Sequence, residues 1–238
     1  MVKEVAGAAR VVVSVAKGLE PESGTRVSDV YAEELAADVV AIGGPCLAGE
    51  LADGLPTAAV WAGATEALAR SAGAPFESDR YQIVYSDDLP GVEYCSMMKN
   101  VAAIGLGILD GLGKPAGEDF NNAKAALFTK AAHELAELVV SIGGRSETAL
   151  GLAGVGDQLV TSLGGRNRLY GELVGGGRPP QATLEELEER GLTVEGVDST
   201  HDVHRLATSA GLDLPYHLAI NRVLFEGADP QHLLEVLR

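Results

Sequence analysis

Cations are scarce in this chain. Lysine and arginine total 18 against 34 aspartates and glutamates, a formal net charge of -16 at pH 7 with a sequence pI near 4.6. That balance argues against sequence-independent nucleic-acid binding and against an anionic membrane surface, because both need a positive face. A small phosphorylated ligand stays open, since it needs only a few local cations. Cysteine is scarcer still. Cys46 and Cys95 are the two, too few and too far apart for a disulfide framework or metal-ligand spacing, so the reading is a reducing, cytoplasmic compartment. Long hydrophobic runs are missing too. The opening MVKEVAGAARVVVSVAKG holds one short apolar core, Val11 to Val15, interrupted by Ser14, which reads as neither a signal peptide nor a membrane span. No later stretch reaches the roughly 20 uncharged apolar residues that a span needs. A Gly-x-Gly-x-x-Gly after a first strand, a P-loop, a nucleophile elbow and a zinc motif are also lacking.

What is present is an ordinary globular composition, 46% hydrophobic and 22% charged over 238 residues, enough for one large or two modest domains. Short β-branched or alternating runs at Arg10–Val15, Val39–Ile42, Thr57–Trp61 and Tyr81–Tyr85 read as strands, the first of them as a buried one. Ser28 to Ala36, capped by Ser28, and Glu66 to Ala72 read as helices between them. From Gly91 onward only helical patterns occur. Met98, Val101, Ile104, Ile108 and Leu112 recur at helical spacing, and Asn122 to Ile142 is a long amphipathic helix stopped by Gly143-Gly144. The expected architecture is a small α/β piece, residues 1–90, followed by an all-helical piece, residues 91–238.

Four features carry candidate chemistry. Lys17 follows the first strand, and Lys99 lies beside Asn100 inside the most apolar helix. Two lysines that met would depress each other's pKa and suit a carbonyl site; otherwise Lys17 is a solvated loop residue and Lys99 snorkels off a core helix. Asp157 and Thr161 share a helix face. Asp157 either pairs with a lysine or caps the helix start. Gly164-Gly165-Arg166-Asn167 places backbone donors and a guanidinium at a helix start, which suits phosphate; the alternative is an ordinary surface ion pair for Arg166. His201 and His204 have the spacing of metal ligands but no third ligand nearby, so they read as a surface helix and no metal is expected.

These residues resemble the NAD(P)-dependent glycerol-3-phosphate dehydrogenase family. The likeness is carried, in order, by VVVSVAKGLE, IGGPCLAGELADGLPTAA, YSDDLPGVEYCSMMKNVAAIGLGILDGLG, NNAKAAL, GLAGVGDQLVT, GGRNRLYGE, VEGVDST and VLFEGADPQHLLEVL. It runs from about Ala9 to the C-terminus, without the front of the family's nucleotide-binding domain, which would leave an open hydrophobic strand edge at Val11 to Val15. The resemblance implies a fold that is an α/β fragment of a Rossmann-like nucleotide-binding domain followed by an all-α helical domain. It implies reversible reduction of dihydroxyacetone phosphate to glycerol 3-phosphate with NAD or NADP as cofactor, in a cytoplasmic homo-oligomer with no nucleic-acid or membrane partner. In the roles it implies, Lys99 is the proton donor and Lys17 its supporting charge. Asn100, Asp157, Thr161, Arg166 and Asn167 bind substrate, and Arg166 and Glu195 touch the cofactor. Cys46 stands where the family usually has a polar residue. A truncated, inactive relative acting as a triose-phosphate-binding or oligomerisation module is the alternative.

Overall fold

The structure, a computed structural model, describes residues 10–20 and 23–238; the reading of residues 1–9 as neither leader nor span lies outside them. The chain divides into two compact units, residues 1–96 with 139–157, and residues 97–138 with 158–238.

The first unit is built on a four-stranded sheet in the order β1-β2-β3-β4: β1 (Val11–Ser14), β2 (Asp38–Gly43), β3 (Thr57–Gly63) and β4 (Tyr81–Ser86). β1 and β2 pair in parallel, as do β3 and β4, while β2 and β3 run antiparallel. Each parallel pair is joined by a helix, α1 (Val27–Leu35) or α3 (Glu66–Gly73), because a parallel crossover cannot be closed by a tight turn. The short α2 (Ala48–Ala52) lies between β2 and β3. Val40, Ala59, Trp61 and Ile83 form the sheet's buried cluster, with Leu68, Ala72 and Tyr85 packed against it, and the Trp61 indole donates to the Tyr81 hydroxyl at 3.0 Å. One expectation is corrected at β1. Its only partner among the described strands is β2, so Val13 and Val15 are 41% and 70% exposed rather than buried.

Ser28 corrects a second expectation. It does not cap α1; the N-cap is Arg26. Ser28 is buried and turns to Glu93, whose carboxylate accepts from its amide at 2.9 Å and its hydroxyl at 2.5 Å. Burial raises the Glu93 pKa above its ordinary 4.5, while Ser28 and Arg26 pull the other way. A carboxyl whose folded pKa is raised keeps its proton in the native state where the unfolded chain has lost it. Its contribution therefore favours the fold at low pH and is lost as pH rises from about 4.5 through the folded value. Against Glu93→Gln, which cannot ionise, the wild type should lose relative stability across that window. Paired urea titrations at successive pH values check this, and a pH-independent difference would count against it.

Helix α4 (Leu89–Gly113) starts on Asp88, which is buried and accepts from the Gly91 amide at 3.0 Å. Its other oxygen accepts from the Arg145 amide at 2.9 Å and the Thr148 hydroxyl at 2.5 Å. One carboxylate thus caps α4 and ties down the segment that enters α6 (Ser146–Leu150). By length and composition alone α4 could cross a membrane, but 89% of its most apolar window is buried inside the protein, as in a core helix.

The second unit is helical. It takes the rest of α4, most of α5 (Asn121–Ser141), α7 (Asp157–Ser162) beyond its first residue, α8 (Arg166–Gly175), α9 (Pro180–Glu189), α10 (Glu195–Ala210), α11 (Pro215–Phe225) and α12 (His232–Glu235). Glu134 of α5 is buried and accepts from the amides of Tyr216 and His217 at 2.8 and 3.1 Å, so a distant carboxylate satisfies the first turn of α11. Its Oε2 also lies 2.6 Å from the His217 Nδ1. The fully buried Tyr216 hydroxyl donates to the Ala102 carbonyl of α4 at 3.0 Å.

Candidate active site

Helix α8 begins in a way that does little for its own stability. Its N-cap, Gly165, has φ +91°, a conformation that favours glycine, and brings no side chain to accept from the first amides. The first turn carries Arg166 and Arg168 and no acid. Cations at the positive end of a helix dipole are unfavourable unless an anion joins them. Arg168 is satisfied from within the unit: Asp110 lies 2.6 Å from its Nη2 and the Ser162 carbonyl accepts from its Nη1. Arg166 stays exposed, its side chain 48% accessible. The sequence expectation of an arginine and an asparagine at a glycine-led helix start is met in this geometry.

Asn167 joins three helices. Its Nδ2 donates to Asn100 Oδ1 on α4 at 3.0 Å, and its Oδ1 accepts from the Gly196 amide on α10 at 2.9 Å. Asn100 in turn points Nδ2 at Glu195 Oε2, 3.5 Å away, and the other Glu195 oxygen lies 3.6 Å from Arg166 Nη2. Lys99, next to Asn100 in the chain, is 7% exposed. That corrects the snorkelling alternative, which would leave the ammonium in water.

The helices that carry these groups meet backbone to backbone. A Cβ added to Gly107 of α4 would lie 2.2 Å from the Arg168 carbonyl, and one on Gly171 of α8 would lie 2.1 Å from the Ile104 carbonyl. Gly111 and Gly175 are equally close to the facing helix. Sequence reasoning missed this seam, although glycines four apart on both helices are its signal. Gly196 was also missed. A Cβ there would sit 2.8 Å from Asn167 Oδ1, so a side chain would block the bond that its amide makes.

Of the remaining candidates, Lys17 and Asp157 belong to the first unit and Thr161 to the second. Lys17 follows β1 and is exposed. Asp157 is buried, and its carboxylate accepts from the Gly44 amide at 3.1 Å. The N-cap reading of Asp157 is corrected: its φ and ψ are helical (-71°, -36°), and the π-helical turn Leu152–Gly156 runs straight into it. Gly43 and Gly44 serve packing. A Cβ on Gly43 would lie 2.8 Å from Val92, and one on Gly44 (φ +121°) 3.3 Å from the Ala59 Cα. Burial pushes the neighbouring Cys95 thiol up, with Asp88 and Asp157 adding to it, so this cysteine stays protonated and inert. Half-buried Thr161 sits one turn beyond Asp157 on α7. The structure therefore joins Asn100, Arg166, Asn167 and Glu195 in one network, with Lys99 adjoining it.

A Rossmann-like α/β unit and an all-helical unit bearing an arginine at an acid-free helix start make a class: two-domain proteins of the kind that take a phosphorylated ligand. The comparisons with known proteins narrow it. The family profile described as "NAD-dependent glycerol-3-phosphate dehydrogenase C-terminus" matches residues 88–235, and its N-terminal counterpart matches residues 1–69. The chain belongs to the NAD-dependent glycerol-3-phosphate dehydrogenase family. It is 38% identical over 230 residues to the glycerol-3-phosphate dehydrogenase [NAD(P)+] of Thermoanaerobacter sp. (strain X514), covering 96% of this chain and 67% of that one. A second such enzyme, from Salinibacter ruber, is 39% identical, with 95% and 65% covered. The crystal structure of glycerol-3-phosphate dehydrogenase from Coxiella burnetii superposes with a TM-score of 0.83 at 34% identity, covering 95% of this chain and 68% of that one. The chain thus spans about two thirds of the length of these relatives.

Proposed function

We propose that the protein catalyses the reversible reduction of dihydroxyacetone phosphate to glycerol 3-phosphate with NAD(P)H. The observation that carries this reading is the start of α8: an exposed Arg166 on an acid-free first turn, followed by Asn167, which donates to Asn100, the residue next to the buried Lys99. Arg166 and Asn167 would hold the phosphate. Lys99 would protonate the ketone oxygen, and Lys17 would supply supporting charge. Asn100, Asp157 and Thr161 would orient the lysine and the substrate hydroxyls. The residues fit a dinucleotide's ribose and phosphate groups, since Arg166 donates and the Glu195 carboxylate accepts; when bound, the reduced nicotinamide supplies a hydride to C2. In this reading residues 1–90 serve the nucleotide and residues 91–238 the substrate.

The comparisons speak for catalysis over the alternative of an inactive binding or oligomerisation module. Following NADH and NADPH oxidation on addition of dihydroxyacetone phosphate tests the reading. Ketone-dependent oxidation supports it; glycerol 3-phosphate binding without turnover would favour the module. The reading also includes a cytoplasmic location and a homo-oligomer, the latter motivated by exposed Val13 and Val15 at β1. Concentration-dependent association in sedimentation is the expected result, and a monomer at every concentration would remove that part.

A further inference from the structure

Glu195 opens α10, and its carboxylate lies 3.6 Å from Arg166 Nη2 and 3.5 Å from Asn100 Nδ2. The carboxylate stands on the guanidinium that the preceding reading gives to the ligand's phosphate. Carboxylate and phosphate are both oxyanions and want the same donors. We propose that Glu195 is a resident anion: in the ligand-free protein it neutralises Arg166, and an incoming phosphate must displace it. The inference rests on the phosphate reading of Arg166.

Three observations support it. The first turn of α8 holds no acid of its own, so a neighbouring element must supply the negative charge that its cations and dipole call for. Among the described residues, Glu195 is the one whose carboxylate reaches Arg166. Second, the contact is loose. At 3.6 Å, with side chains 48% and 37% exposed, it is a pair that water and salt screen and that another anion can open. Arg168, held at 2.6 Å by Asp110 with side chains 24% and 20% exposed, shows what a committed arginine looks like two residues further on. Third, Glu195 is held near its post by the backbone: the amide of the next residue, Gly196, donates to Asn167 Oδ1 at 2.9 Å. The carboxylate can swing aside while the first turn of α10 stays anchored.

The consequence is selectivity. A resident monoanion makes weakly charged anions poor competitors for Arg166, whereas a dianionic phosphate monoester outbids it on charge. Removing the carboxylate should therefore make binding tighter, a direction that structural damage does not produce.

The test is calorimetric titration of the full chain with inorganic phosphate at low ionic strength, comparing wild type, Glu195→Gln and Glu195→Ala. Both variants should bind phosphate about two- to fivefold more tightly than wild type, the scale expected for a partly exposed ion pair. Raising the salt concentration should shrink the difference. Equal or weaker binding in both variants, with melting temperatures unchanged, would overturn the resident-anion role and leave the phosphate reading standing. No phosphate binding by any of the three proteins would overturn the phosphate reading, and this inference with it.

Discussion

Replacing Gly171 by alanine is expected to lower the melting temperature by roughly 6 to 12 °C, corresponding to about 3 kcal/mol for a chain of this size. Two effects oppose each other. Alanine is the better helix former by about 1 kcal/mol. Against this, the new Cβ would lie 2.1 Å from the Ile104 carbonyl oxygen, and that atom is backbone in the middle of a buried helix, with no rotamer to relieve the overlap. The clash wins, and α8 must move away from α4. A control isolates the packing term. Gly49 in α2 has nothing within 4 Å of its would-be Cβ, so Gly49→Ala should stabilise by about 0.5 to 1 kcal/mol. Differential scanning calorimetry on the two variants reads both signs. Equal melting temperatures would show that the close approach of the two helices is wrong. The same displacement shifts Arg166 and Asn167 relative to Asn100, so ligand affinity should fall along with stability.

The second large effect concerns Lys99. Lys99→Met keeps an unbranched side chain of similar length in a buried site and removes the ammonium. The dihydroxyacetone phosphate-dependent rate is expected to fall about 10²- to 10⁴-fold, the usual contribution of a positioned proton donor. Glycerol 3-phosphate affinity should change far less, because the phosphate is assigned to Arg166 and Asn167. Steady-state kinetics with a parallel binding titration separates the two quantities. A variant with wild-type kcat would remove Lys99 from the chemistry, and wild-type kcat with a raised KM would recast it as a binding residue.

Much of this could be read in the chain. Helix α4 was legible because its apolar residues recur at three and four positions, and Met98, Val101, Ile104 and Ile108 are all inaccessible to solvent. The start of α8 was legible because Gly164-Gly165 breaks one helix and frees the amides of the next. What could not be read is whatever depends on partners far along the chain. Ser28 looks like a cap until Glu93, 65 residues on, takes its hydroxyl. Asp157 looks like an N-cap because a π-helical turn has no sequence signature that separates it from a loop. The bond between Asn100 and Asn167 spans 67 residues and the contact between Asn100 and Glu195 spans 95; family resemblance put these residues in one site, but periodicity could not. The exposure of β1 was legible only through the family resemblance, because four β-branched or small residues in a row read as a buried strand whether they have one neighbour or two.

The account stands most directly on the claim that α8 receives the substrate's phosphate through Arg166. Isothermal titration of the protein with glycerol 3-phosphate, beside Arg166→Ala, tests it without any need for turnover. The account predicts one site per chain, affinity that weakens as salt rises, and a loss of about tenfold or more when the guanidinium is removed. Equal affinity in the two proteins would contradict it.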